Sequence, residues 1–155
     1  MTFQIHALPA QDFAPLFDLS DRELVAHRAR RVTVDACPGS PCRVTLTDTP
    51  VGETVLLLNH THLDTASPVH SSHAIFVRQG QPQAQPAPGE VPEAFRSRQM
   101  SLRAIDDEGM MIDAIALPGT DIANGIAALF QNPDAVEVHI HFAGPGCFGA
   151  RATRV

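Results

Sequence analysis

Val136-Glu137-Val138-His139-Ile140-His141-Phe142 alternates apolar and polar side chains without a break. In a β-strand such alternation sends Val136, Val138, Ile140 and Phe142 to one face and Glu137, His139 and His141 to the other. The stretch therefore predicts a strand in a sheet with one face on a core and one face carrying ionisable groups. Sheets of that kind are usually antiparallel, because a parallel sheet has both faces covered.

Upstream, Ile122, Ile126, Leu129 and Phe130 recur at helical spacing, which predicts a helix over 120–131 capped by Thr120 and ended by Asn132-Pro133. Residues 101–105 and 110–116 read as strands joined by Asp106-Asp107-Glu108-Gly109, a turn in which glycine supplies the positive φ. That acidic turn is read as solvated, not as a cation site. In the amino-terminal half, Leu19-Ser20-Asp21-Arg22-Glu23-Leu24 carries a capping box and a hydrophobic staple, predicting a helix over 21–30. Strands are expected at 3–8, 32–35, 43–47, 53–62 and 71–78, and a short helix at 92–99. Residues 79–92, rich in Gln, Pro and Gly, read as an exposed loop within the domain. Strands and helices without regular βαβ alternation predict an α+β fold: one domain over 1–155, with a largely antiparallel sheet and two or three helices.

The composition narrows the chemistry. A chain of 155 residues with 44% hydrophobic and 18% charged residues can bury its own core. A net charge of −6 argues against a nucleic-acid partner, since phosphate backbones are held by clustered cations. All 11 basic residues are arginine, and lysine, tyrosine and tryptophan are absent, which excludes Schiff-base chemistry and tyrosine acids. No leader-like segment and no run of ~20 apolar residues occurs, so a cytoplasmic protein without a membrane partner is expected. The three cysteines are expected as thiols.

Histidines gather in two stretches, His60-Thr61-His62 with His70 and His73, and His139-Ile140-His141. Two imidazoles two positions apart on a strand share a face at about 6.5 Å, close enough to hold one metal ion if a third ligand arrives from elsewhere. His60 with His62, and His139 with His141, form the candidate pairs, with Glu137, Cys147, His73 or Asp64 as additional donors. The ion would be zinc or another divalent transition metal. Cys147, in the glycine-rich turn Gly144-Pro145-Gly146-Cys147, is a candidate nucleophile with His141 or His73 as its base. Arg43 and Arg151 could together clamp a carboxylate or phosphate.

Pro41-Cys42-Arg43-Val44, Gly52-Glu53-Thr54-Val55 through Asn59, Ser72-His73-Ala74-Ile75-Phe76-Val77-Arg78, Pro88-Gly89-Glu90-Val91-Pro92, Ser101-Leu102-Arg103-Ala104, His139-Ile140-His141 and Pro145-Gly146-Cys147 span nearly the whole chain. On these segments the sequence resembles a bacterial family known as domain of unknown function 1203. The resemblance implies no activity. It does set Cys42, Arg43, His62, His73, His139, His141, Cys147 and Arg151 on positions that look like the family pattern. His60, Val69 and Phe148 stand where relatives often carry tyrosine, so the resemblance implies a metal set of His62, His139 and His141 without His60.

The reading that joins these expectations is a domain binding a small anionic metabolite in a pocket of His73, His139, His141, Cys147, Arg43 and Arg151. An enzyme using a metal or Cys147 on a small molecule is the alternative. A structural protein whose histidines line a homodimer surface is the third.

Overall fold

In the computed structural model, which describes residues 2–155, the His139 strand is the middle of a five-stranded antiparallel sheet. In chain order the strands are β1 (Phe3–His6), β2 (Ala29–Thr33), β3 (Thr54–Leu63), β4 (Ser71–Arg78), β5 (Gln99–Ile105), β6 (Met111–Pro118), β7 (Glu137–Phe142) and β8 (Phe148–Arg154). The helices are α1 (Asp21–Ala26), α2 (Glu93–Arg96) and α3 (Ile122–Leu129). The large sheet runs β1-β8-β7-β5-β6, and β2-β3-β4 form a second antiparallel sheet. The fold is α+β.

Each sheet has its own core. Val138, Ile140 and Phe142 turn inward with Met100, Leu102, Ala104, Ala150 and Ala152, and α3 covers them with Ile122, Ile126 and Leu129. Full burial of such side chains contributes roughly 1.5–3 kcal/mol each. In the small sheet, Leu56, Leu58, Ile75 and Val77 pack with Phe13, Leu24, Cys42 and Val44. The opposite face of the large sheet, bearing His139 and His141, meets the far end of β3.

Sequence-level expectations about element ends shift where tertiary contacts win. Ser20 and Glu23 form the capping box, yet α1 stops at Ala26. Arg28 takes a left-handed backbone at φ 52, and Ala29 then enters β2 opposite Leu58, so the second sheet takes over residues that helical propensity would have kept. Residues 43–47 do not form a strand. Leu46 N–H turns back to the Cys42 carbonyl, while Arg43 N–H reaches the Phe76 carbonyl, tying this turn to the edge of β4. Thr120 does not cap α3 with its side chain, because a 3₁₀ turn, Gly119–Asp121, precedes the helix. Residues 79–92 contain no helix or strand, and are pinned by Gln83 to the Ala7 carbonyl and by Ala84 N–H to the Val44 carbonyl. Gly109 has φ 76 as the hairpin requires, and a side chain there would strike Thr65. β8 has no counterpart in the sequence reading, since Gly149, Ala150 and Ala152 give no strand signal.

Candidate functional site

Two β-bulges build the site. Across β7 and β8, Ile140 pairs with Ala150 but His141 pairs with Phe148, which leaves Gly149 as an extra residue. The bulge reverses the facing of the strand, so Ala150 stays in the core while Phe148 moves to the histidine face. In β3, Thr61 pairs with Ser72 and Leu63 with Ser71, which makes His62 the extra residue. Bulges of this kind re-aim a side chain.

The result is a cluster contributed by both sheets. One ring nitrogen from each of His62, His139 and His141 lies within 4.8 Å of the others. The His62 ring stacks flat on Phe148, with centroids 5.0 Å apart, and meets the His141 ring edge-on at 4.9 Å. His60, expected to share the face of His62, stands aside between Phe13 and Phe148. His70 is outside the cluster, 3.6 Å from Asp64.

Hydrogen bonds fix which nitrogens are available. His141 donates Nδ1–H to the Gly146 carbonyl at 3.0 Å, so its buried Nε2 keeps a lone pair with no partner. His139 Nε2 bonds Glu137 Oε1 at 2.7 Å. Both ring nitrogens of His62 are buried and unpartnered. Burial pushes the pKa of His141 to about 3 against the opposing Gly146 bond, with Arg103, His62 and His139 adding to the fall. Burial likewise takes His62 to about 4, helped by the charges of His139, His60, Arg103 and His73. Both rings are thus neutral near pH 7, the form that donates a lone pair to a metal. The hydrogen bond from His139 holds Glu137 below its ordinary value although burial opposes it.

Two arginines flank the centre on the same face. Arg103 of β5 and Arg151 of β8 lie opposite His139 in the register. Arg151 is 52% exposed and bonds Glu137 Oε2 at 3.3 Å. Arg103 is drawn below its usual value by burial.

Arg43 and Cys147 belong to a neighbouring cavity of about 770 Å3, lined by Arg43, His73, Arg98, Phe142, Cys147 and several prolines. Arg43 is 2% exposed and donates Nε–H to the Phe148 carbonyl at 2.7 Å, Nη1–H to the Pro41 carbonyl, and Nη2–H to Cys147 Sγ at 3.1 Å. Burial lowers the pKa of Arg43, an effect opposed by Cys147. Its guanidinium carbon sits 4.7 Å from the Phe142 ring centre and that of Arg98 at 5.5 Å. Arg98 is neutralised by two bonds to Asp48, at 2.7 and 2.8 Å.

The sequence-derived candidates therefore divide into two groups. His62, His139 and His141 come together, with Arg151 at their rim. Arg43, His73 and Cys147 come together next door, without Arg151. The side-chain partner of Cys147 is Arg43, and neither His73 nor His141 hydrogen-bonds its sulfur. All three cysteines are free. The two groups meet at the turn 143–147, whose Gly146 carbonyl holds His141 and whose Gly146 Cα faces His73. Sequence reasoning missed Arg98 and Arg103. Arg103 had one legible sign, its place between inward-facing Leu102 and Ala104, while nothing local marks Arg98.

Curated proteins and solved structures give no match to the chain. A sequence model of the family described as protein of unknown function, DUF1203, matches residues 39–154, the span that contains both bulges, all three clustered histidines and the cavity lining other than Pro38. The chain belongs to the DUF1203 family.

Proposed function

We propose that this chain is a metal-binding domain whose His62, His139 and His141 hold one divalent transition ion, with zinc as the best fit. The observation that carries the reading is three unpartnered or tautomer-fixed imidazoles within 4.8 Å in a buried place. Buried polar atoms without a hydrogen bond are rare in folded proteins and call for an explanation. A metal ion satisfies the lone pairs of His62 and His141 at once.

The surroundings support it. Metal-bound histidines usually give their second ring N–H to a carbonyl or carboxylate, and His141 does so to Gly146 and His139 to Glu137. Three imidazoles suit zinc, copper, iron or nickel, and in a tetrahedral ion they leave one further position. An ion there would join β3 of the small sheet to β7 of the large one, so metal loading would stabilise the fold.

Untagged protein dialysed against zinc and then metal-free buffer should retain about one equivalent per chain, and cobalt should give the visible absorption of a tetrahedral site. His62→Ala, His139→Ala and His141→Ala should each abolish retention, whereas His60→Ala should not. Retention below about a tenth of an equivalent by the wild-type chain would refute the reading.

A further inference from the structure

We infer that the cavity beside Cys147 is a second, separate site, which takes a small organic carboxylate with an apolar tail on the guanidinium of Arg43. A guanidinium has five N–H donors, and the three bonds of Arg43 leave one hydrogen on each terminal nitrogen without an acceptor. Those two terminal nitrogens form the edge that accepts a carboxylate in paired hydrogen bonds. No carboxylate of the described residues forms an ion pair with Arg43, although it is 2% exposed. Buried cations are normally paired. Arg98, over the same Phe142 ring, has that pairing in Asp48, so it leaves the surplus charge to Arg43.

The walls define the rest of the ligand. Pro38, Pro41, Leu57, Phe76, Phe142 and Pro145 line the space, and its volume of about 770 Å3 lies in the range of small-molecule sites. Apolar walls around one unpaired guanidinium fit a monoanion whose remaining surface is hydrocarbon, such as a medium-chain or aromatic acid. Inorganic phosphate, a dianion with no apolar part, would leave these walls unused. The site needs no metal, and its test does not depend on the histidine centre.

The full chain, treated with chelator, is titrated calorimetrically with octanoate, octanamide, acetate and inorganic phosphate. Octanoate should bind saturably and at least about tenfold tighter than acetate, because its methylenes leave water. It should also bind about tenfold or more tighter than octanamide, which lacks the charge. Arg43→Met removes three internal bonds and can fail to fold, so the decisive variant is Gly144→Leu. Gly144 lines the cavity, has no atom within 4 Å of where a Cβ would stand, and is outside the left-handed region. Gly144→Leu should weaken octanoate by about tenfold or more at an unchanged unfolding midpoint. Absent octanoate binding, equal affinity for octanamide, tighter binding of phosphate, or a Gly144→Leu variant that binds octanoate like the wild type would each overturn the proposal.

Discussion

His62 lies flat on Phe148, their planes 6° apart, and each reaches that contact through a β-bulge in its own sheet. The stack fixes the plane of an imidazole that has no hydrogen bond to orient it. Phe148→Leu conserves most of the volume and should cost under about 1.5 kcal/mol of stability. It should nevertheless weaken zinc binding about tenfold, because His62 loses its support. Competition titration against a chromophoric chelator measures this; unaltered affinity would mean that the stack does not position the ligand.

Glu137 accepts from His139 and pairs with Arg151, which makes it the outer support of the centre. Glu137→Gln keeps the shape and loses the charge that makes the imidazole a stronger donor. Zinc affinity should fall about 10–100-fold. If the same competition titration gives a wild-type constant, His139 is not a ligand held by this carboxylate.

His62→Leu should separate folding from binding. In the metal-free chain the two buried nitrogens of His62 are desolvated with nothing in return. An apolar replacement of similar size should raise metal-free stability by about 1–2 kcal/mol while abolishing zinc retention. Urea denaturation in chelator is the check, and a lower stability for His62→Leu would show that the imidazole is satisfied in solution.

Asp48 contributes to the acid side of the stability curve. Burial alone would raise its pKa, but the bonds from Arg98 and from Gly39 N–H, with the Arg98 and Arg43 charges, bring it below the ordinary carboxylate value. A carboxyl with a depressed folded pKa contributes stability that is complete above its unfolded value of about 3.9 and disappears as pH falls through the folded one. Asp48→Asn should therefore lose about 1–3 kcal/mol at pH 7. The gap from wild type should close below about pH 4. Thermal melts at pH 3 and pH 7 test the sign: a gap that widened in acid would contradict it.

The alternation from Val136 to Phe142 made the central strand and its two faces legible in the sequence, and the spacing of Ile122, Ile126 and Leu129 did the same for the helix over it. His139 and His141 were readable as one face for that reason. His62, the third member of the cluster, was legible as a candidate residue but not in its direction. His62 points where it does because of an irregularity in the pairing of β3 with β4, and register faults are set by both strands together, not by either alone. β8 escaped notice because alanine and glycine satisfy a crowded interior without the β-branched signature of a strand. Arg98 was invisible for a simpler cause: its partner Asp48 is distant in the chain, and their meeting belongs to tertiary structure.

The turn 143–147 serves two tenants. Its Gly146 carbonyl anchors the imidazole of His141, and the next residue, Cys147, forms part of the wall around the guanidinium of Arg43. A ligand at either proposed site that shifted this short segment would alter the other, and equilibrium thermodynamics requires that influence to be equal in both directions. With both proposed sites bordering this one segment, loading of either should change the affinity of the other by the same factor.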